Sequence, residues 1–425
     1  MTKVEIKNGN ITPFGGLFYI FDTFEKEIAG TIDGALGPRG GILAYDYSDI
    51  FRSLLATYLT GGECLEDIMQ LIPFWKRKYQ LPSSDTVART LKGLAESDTP
   101  YVIGDSRYSF NEADRLNDLL IKCLCATGQL HRGDEIDVDF DHQFLATGKP
   151  DAKYCYKHFD AYSPGVMTTG GIVIGVEGRD GNTPVKFKQA GTLCRFFLRL
   201  IDAGVSVRNF RADCGSFSKE VIEAVAMNCQ RFYIRSMSSG DSRAISVETE
   251  SWEDVRIGDI DCSVSSYVRT DFIRGVPLRV VDQRSPKLDS DGRQAMTLFG
   301  PEYVYRTIIT NDFENSEKDI ILFYNGRGAS ERVFDELGND FGWKHLPFSY
   351  LRENTVFMIV TAIIRNFFML LKAKLFRIGF AGLDSSARVK RFVRNFVCVS
   401  AKFVKKSRGI VLNLYTDNLF YRRVC

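Results

Sequence analysis

Three sets of residues, far apart along the chain, have the side-chain types that hold divalent metal ions or phosphate. In the first, within residues 136–142, Asp137, Asp139 and Asp141 alternate with apolar residues. Residues two apart on a strand point to the same face, so these three acids would crowd one face of a predicted strand. Carboxylates crowded in this way repel one another unless cations join them.

The second and third sets each combine an acid with a characteristic local context. Asp213 follows the predicted strand 207–212 and precedes a turn that contains glycine, and ligand sites in α/β proteins form at such strand ends. Tyr324, Arg327 and Glu331 have the spacing i, i+3 and i+7, which places them on one face of a predicted helix. A hydroxyl, a guanidinium and a carboxylate would then point together.

Metal-dependent phosphodiester cleavage is the chemistry that this combination favours. Two divalent ions about 4 Å apart can activate the attacking oxygen and stabilise the leaving oxygen, with carboxylates as their anchors. Arg327 would clamp a phosphate. Each set also has a purely structural explanation, because strand-end aspartates cap helices and a helical Tyr, Arg and Glu can form a surface pair.

Taken together and in order, the three sets resemble the bacterial insertion-sequence transposases of the DDE type, the group marked by Tyr-x2-Arg-x3-Glu on the helix with the last acid. The resemblance covers most of the chain and includes Phe341-Gly342-Trp343 beyond that acid. It implies an α/β fold with a ribonuclease-H-like catalytic core of the retroviral integrase superfamily. It also implies that Asp141, Asp213 and Glu331 are the catalytic residues and bind Mg²⁺, for which Mn²⁺ can substitute.

The same resemblance implies what the protein does. It would bind the terminal inverted repeats of its own insertion sequence as double-stranded DNA, cleave the ends with metal-activated water, and join the 3′-ends to target DNA. Tyr324 and Arg327 would contact DNA, and no covalent protein–DNA intermediate would form. A homodimer in the DNA complex and a cytoplasmic, nucleoid-associated location in a bacterium are further expectations.

The sequence departs from that group at two points. Gly338 stands where the group usually has a lysine, seven residues after the glutamate, so that DNA-backbone contact is either missing or supplied by another residue. The group also usually shows Asp-x-Thr at the first acid, which neither candidate here provides. We favour Asp141, with Asp139 as the alternative.

The elements that must position these residues follow from the hydrophobic pattern. Residues 1–130 show mainly helical periodicity and form a predicted DNA-binding region. Within it, residues 82–94 have the pattern of the last helix of a helix-turn-helix unit, with Arg89 and Lys92 directed away from its apolar side. Residues 131–425 form the predicted catalytic domain, which a β-rich insertion at 238–318 interrupts. Its predicted strands are 136–140, 171–176, 185–189, 207–212 and 231–234, with a helix at 217–227.

The C-terminal region is locally basic. Between Arg388 and Arg408 there are eight basic residues and no acid, among them Lys402, Lys405 and Lys406, opposite an apolar stripe. The pattern predicts a basic helix at 385–410, which would bind either a membrane surface or the DNA backbone. The nuclease-like acids favour DNA.

Composition excludes several other classes of protein. The N-terminus lacks the basic and apolar parts of a secretory signal, and the ten cysteines show no zinc-ligand spacing. Arg365 and Asn366 interrupt the apolar run 356–371, which predicts a buried helix and no membrane span. Two alternatives stay open: a metal-dependent nuclease without strand transfer, and a non-catalytic DNA-binding protein derived from a transposase.

Overall fold

The chain folds around one large mixed sheet that carries helices on its faces. The structure is a computed structural model and describes residues 2–5, 9–39, 45–75, 79, 81–236, 249, 251–273, 275–298, 300–380, 383–384, 386–407 and 409–424. The strands, in chain order, are β1 (Thr99–Ile103), β2 (Ser106–Asn111), β3 (Glu135–His142), β4 (Leu145–Ala146), β5 (Lys153–Tyr154), β6 (Asp160–Tyr162), β7 (Gly165–Thr169), β8 (Ile172–Arg179), β9 (Ser206–Ala212), β10 (Cys229–Arg235), β11 (Glu253–Ile257), β12 (Ile260–Ile273), β13 (Val276–Pro286), β14 (Met296–Thr297), β15 (Gly300–Pro301), β16 (Tyr303–Thr310), β17 (Ser400–Lys406) and β18 (Gly409–Tyr415).

The helices come from segments with apolar residues at helical spacing. They are α1 (Leu17–Phe24), α2 (Gly30–Leu36), α3 (Tyr47–Tyr58), α4 (Ile72–Trp75), α5 (Ser84–Gly93), α6 (Asp114–Ala126), α7 (Gln189–Asp202), α8 (Lys219–Asn228), α9 (Glu317–Asn325), α10 (Ala329–Asp340), α11 (Leu351–Arg377), α12 (Val389–Phe392) and α13 (Tyr421–Val424). Short 3₁₀ turns lie at Leu65–Gln70, Cys214–Ser216 and Gly326–Gly328, and π-helical turns at Glu25–Ala29 and Val393–Val397.

The centre of the sheet has the strand order β8-β7-β3-β9-β10. β3, β7 and β8 are antiparallel neighbours, whereas β9 runs parallel to β3 and β10 runs parallel to β9. The parallel pairs are connected through α7 and α8, as β-α-β crossovers require. The predicted ribonuclease-H-like α/β fold is therefore confirmed.

Beyond β10 the sheet continues through β16, β13, β12 and β11, all paired antiparallel. These strands come from the predicted β-rich insertion, of which residues 237–248 and 250 lie outside the described residues. The inserted strands extend the central sheet, because the backbone groups on the free edge of β10 form hydrogen bonds with β16. At the opposite edge, the hairpin β1–β2 joins β8, so residues 1–130 also contribute strands.

Two predictions about local structure are wrong. Residues 185–188 form turns that lead into α7, so the predicted strand at 185–189 does not exist. The predicted basic helix at 385–410 ends at Val397, and the chain then forms the hairpin β17–β18. Gly409 opens β18 with φ 139°, a conformation that suits glycine and favours a reversal of the chain over a continued helix.

Helix α11 is the centre of the largest apolar cluster, which joins the N-terminal helices to the C-terminal segment. Among the described residues it is also the one helix long and apolar enough to cross a membrane by length and composition, with 83% of its most apolar window buried inside the protein. The prediction of a buried helix is consistent with this burial. Arg365 within it is buried too, and pairs with Glu336 of α10 at 2.7 Å. α11 therefore holds α10 in place.

Two asparagine side chains cover the part of the β8 edge that β2 leaves unpaired. Asn366 of α11 accepts the Val173 N–H at 3.0 Å and donates to its carbonyl at 2.7 Å. Asn117 of α6 makes the same pair of bonds with Val176, at 3.0 and 2.8 Å. Each amide takes the place of a neighbouring strand. It provides hydrogen-bond partners for a backbone N–H and carbonyl that would otherwise be buried without one, which would destabilise the fold.

Replacing Asn366 with alanine should lower the free energy of unfolding by about 2–5 kcal/mol, because both Val173 backbone groups lose their partner inside the core. Urea unfolding followed by circular dichroism measures the effect. Asn182→Ala is the matched control, since its exposed amide makes one long bond of 3.5 Å to Arg107, and it should change stability by less than about 0.5 kcal/mol. Equal stability of the two variants would contradict the edge-covering role of Asn366.

Candidate active site

The register of the sheet places two of the predicted acids side by side. Val138 and Phe140 of β3 are fully buried in the core, so the alternating acids lie on the opposite face. Phe140 pairs with Ala212 in the adjacent parallel strand. Asp141 and Asp213 each come one residue later, at matching positions where the two central strands end.

Asp213 is fixed by the turn that follows it. Its carboxylate accepts the backbone N–H of Gly215 at 3.0 Å and so caps the 3₁₀ turn after β9. Burial raises the pKa of the Asp213 carboxyl above its usual range, and the negative charge of Asp141 raises it further, while Arg327 opposes both. Two carboxylates therefore share a partly buried position, the arrangement that a bound cation stabilises.

Arg327 provides the positive charge beside these acids. Its guanidinium donates to Asp141 at 2.8 Å and forms an ion pair with it. Burial disfavours the charged form of Arg327, but Asp141, Tyr324 and Asp213 outweigh that effect, and its pKa lies above the usual value. The guanidinium thus places a positive charge beside the two carboxylates, the kind of charge that a bound metal ion would also supply.

The helix expected to carry Tyr324, Arg327 and Glu331 on one face is interrupted. α9 ends at Asn325, a 3₁₀ turn follows at Gly326–Gly328, and α10 begins after it. Two glycines in three residues favour this break, because glycine is a poor helix former. The prediction of one uninterrupted helix is therefore wrong, but the side chains of Tyr324 and Arg327 still lie together and interact beside Asp213.

Tyr324 has a different environment from the one predicted. Its side chain is only 9% exposed, and its hydroxyl donates to the carbonyl of Ala212 at 3.4 Å, directly before Asp213. Burial is the main reason why the pKa of the phenol is raised. The hydroxyl is directed at the end of β9, so this placement does not support the predicted contact with DNA.

Asp139, the alternative first acid, already has a strong partner. Arg211 on β9 binds it through two hydrogen bonds of 2.7 and 2.9 Å, and also donates to the Phe323 carbonyl at 2.6 Å. A Cβ at Gly326 would lie 2.9 Å from this guanidinium, so the glycine makes room for it. Burial raises the pKa of Asp139, against the effect of Arg211. Asp139 thus ties strands β3 and β9 to α9.

Glu331 lies in the first turn of α10 and is exposed. It lines a groove of about 590 Å³ together with Asp141, Phe334 and Lys344. Among the described residues, no three His, Cys, Asp or Glu side chains stand close enough to hold one metal ion. The structure therefore brings Asp141 together with Asp213, and places Glu331 in the groove beside Asp141, without forming a complete cage.

The residues predicted to bind DNA lie on the surface at two other places. Arg89 and Lys92 are exposed on α5, whose Val87 and Leu91 are buried as the pattern predicted. Lys402, Lys405 and Lys406 lie on β17, where Lys402 and Lys406 share one face and Lys405 has the other. Arg408 lies outside the described residues.

The sequence-based interpretation did not include Arg211 or Lys344 in the site. Arg211 precedes Asp213 by two residues, so strand alternation puts both on the site face and could have identified it. Lys344 carried no such signal, because its place in the groove depends on a turn at Gly342, which has φ 81°. Gly338, the departure from the expected lysine, lies under Lys344.

The oxygen donors present suit Mg²⁺ or Mn²⁺, which bind carboxylates in preference to nitrogen or sulphur. Asp141 and Asp213 supply the paired acids, and Glu331 lies in the adjoining groove on the helix that follows the 3₁₀ turn. The guanidinium of Arg327, paired with Asp141 at 2.8 Å, already places a positive charge at this position.

The sequence model of the family described as "Transposase DDE domain" matches residues 132–367. No curated protein matches the chain. Similar solved structures include the piggyBac transposase synaptic complex with hairpin DNA, at 13% identity and a TM-score of 0.44, covering 90% of this chain and 78% of that one. Another is the Drosophila P element transposase strand transfer complex, at 15% identity and a TM-score of 0.22, covering 50% and 42%. Because the matched region spans more than half of the sequence, the chain belongs to the family of transposases with a DDE domain.

Proposed function

We propose that this protein cleaves the ends of its own mobile DNA element and joins the freed 3′-ends to target DNA. The observation that carries the proposal is the pair Asp141 and Asp213, held side by side at the ends of two central strands with Arg327 against them. The match to the transposase domain supports DNA as the substrate.

Asp141, Asp213 and Glu331 would hold the divalent ions, Mg²⁺ by preference. The ions supply charge to activate a water molecule and to stabilise the leaving oxygen. Arg327 would exchange Asp141 for a phosphate oxygen of the bound DNA, because a guanidinium is a strong donor to either anion. Tyr324 would keep the end of β9 in position through Ala212, and so keep Asp213 directed at the site.

DNA outside the active site would be held by exposed basic residues. We assign Arg89 and Lys92 on α5 and Lys402 and Lys406 on one face of β17 to contacts with the phosphate backbone of the terminal repeats and target DNA. Lys405, which the sequence also predicted to bind DNA, lies on the other face and is not part of this contact. Two copies of the chain, each binding one end, would act together. A cytoplasmic location at the nucleoid would give the protein access to that DNA.

The lysines of β17 provide a test that follows from the strand geometry. Changing Lys402 and Lys406 together to alanine should reduce the slope of log affinity against log salt for end DNA by roughly two, because each lost phosphate contact removes about 0.9. Fluorescence anisotropy over a salt series measures this slope. Lys405→Ala, on the opposite face, should leave the slope nearly unchanged, and a reduction of about 0.9 in this variant would contradict a contact through one face.

Strand transfer is the activity that separates a transposase from a simple nuclease. A duplex with the inverted repeat found beside the coding region should, with Mg²⁺ and a supercoiled target plasmid, give products in which labelled 3′-ends are joined to the plasmid. Cleaved ends without joined products would instead indicate a nuclease. Specific binding with neither cleavage nor joining would indicate a non-catalytic DNA-binding protein.

A further inference from the structure

Lys344 is the basic residue that shares the groove with two of the proposed metal ligands. It lines the groove with Asp141 and Glu331. It also lines the adjoining groove of about 430 Å³, which contains Arg388 and Lys390. Lys344 thus stands where two surface grooves meet, close to the acids and yet exposed.

The ammonium group of Lys344 donates to a neutral amide side chain. Within the part of the chain that the structure describes, no carboxylate lies within ion-pair distance of it, and its Nζ donates to Asn339 Oδ1 at 2.6 Å. Two arginines near α10, in contrast, are paired: Arg332 contacts Glu336, and Arg388 binds Asp335 and Asp340. The positive charge of Lys344 is therefore not neutralised by an ion pair, and it can bind an anion from outside the protein.

The backbone on both sides holds Lys344 in this place. Gly342 turns the chain with φ 81°, and a Cβ there would lie 2.5 Å from the hydroxyl of Tyr58. Trp343 is buried and donates from its indole to Thr361 at 2.9 Å. The turn and the buried ring fix the start of the Lys344 side chain, which lowers the entropy lost when its end binds a ligand.

Gly338 leaves the space that the Lys344 side chain occupies. A Cβ at position 338 would lie 3.3 Å from Lys344 Cε and 3.4 Å from its Cγ. The aliphatic part of the lysine therefore lies across the last turn of α10, above the glycine. Any side chain at 338 would compete for the same volume.

We infer that Lys344 binds a backbone phosphate of the DNA that is being cut, and that Gly338 is the residue that admits it. The inference rests on the proposed function, since the phosphate belongs to the strand at Asp141 and Glu331. A lysine acts here as a point charge with three donors, which suits a phosphate that enters an open groove.

The test uses the full chain and an end duplex in binding and cleavage assays. Lys344→Gln should lower the affinity for end DNA roughly tenfold at low salt and reduce the salt slope by about 0.9, because one charged contact is lost. Lys122→Gln, an exposed lysine on α6 away from the groove, is the matched control and should leave both values unchanged. The unfolding midpoint should stay the same in both variants.

Rescue makes the role of Gly338 testable. The double variant Gly338→Lys with Lys344→Ala should recover the salt slope, since alanine removes the Cγ, Cδ and Cε atoms and a side chain at 338 would enter the vacated volume. An unchanged slope in Lys344→Gln overturns the phosphate contact, and a double variant that stays at the Lys344→Gln slope overturns the spatial relation to Gly338. Wild-type protein that binds no end duplex would refute the proposed function itself, which is a distinguishable outcome.

Discussion

Replacing Asp213 with asparagine should reduce cleavage of end DNA by at least about 10³-fold, because a metal ligand contributes several kcal/mol to stabilising charge in the transition state. Asparagine keeps the size of the side chain and can still accept the Gly215 N–H. Burial and the charge of Asp141 raise the pKa of Asp213, so removing its charge should not lower the free energy of unfolding. Binding of end DNA should remain nearly intact.

Asp137→Asn is the matched control, because Asp137 lies on the same strand face as Asp141 but pairs with Arg208 at 3.1 Å and Asn209 at 2.7 Å. It should retain cleavage. Asp141→Asn and Glu331→Gln should behave like Asp213→Asn, and all three should weaken Mg²⁺ binding in calorimetry. Near-normal cleavage by Asp213→Asn would show that the metal site has been assigned to the wrong residues.

Asp139→Asn distinguishes the two candidates for the first acid. The Asp139 carboxylate is buried and makes two hydrogen bonds with Arg211, so its replacement should lower stability by leaving that guanidinium without its anion. Mg²⁺ affinity should change much less than in Asp141→Asn. Loss of metal binding with unchanged stability would instead identify Asp139 as the ligand.

The sequence predicted those parts of the fold and site that depend on short-range periodicity. Alternation along residues 136–142 correctly grouped the acids of β3, the short apolar or alternating runs located β9 and β10, and the residues after β10 were correctly predicted to be rich in strands. Arg365 and Asn366 in an otherwise apolar run correctly indicated a buried helix. Their partners, Glu336 and the Val173 backbone, are far away in sequence, so no local pattern could identify them.

The remaining features depend on contacts between distant segments. Helical spacing placed Tyr324 and Arg327 together, and their side chains do interact although Gly326 and Gly328 interrupt the helix. Their bonds to Ala212 and Asp141 involve strands far away in the sequence, which the spacing could not identify. The basic residues near the C-terminus predicted a helix, yet those of 400–406 lie on the hairpin β17–β18. Ala401 of this hairpin forms a β-bridge with Thr12, near the start of the chain. In the C-terminal region, tertiary packing therefore outweighs the local charge pattern.

Arg327→Ala should separate DNA positioning from metal binding at the same site. The guanidinium now binds Asp141, so its loss should leave Mg²⁺ affinity unchanged or tighter, because a competing cation is removed from that carboxylate. Cleavage should nevertheless fall by about 10²–10³-fold, the usual cost of losing one preorganised donor to charge that develops in the transition state. Metal affinity measured by calorimetry and single-turnover cleavage of an end duplex provide the two readings.

Arg332→Ala is the control for Arg327→Ala, since Arg332 is five residues away, half exposed, and paired with Glu336 on its own helix. It should retain most of the cleavage rate. Arg327→Lys should recover only part of the activity, because an ammonium cannot make two parallel bonds to a phosphate. If Arg327→Ala cut at the normal rate, the guanidinium would serve only to neutralise Asp141 and Asp213. If it lost metal binding together with cleavage, Arg327 would be needed to hold the two acids in position.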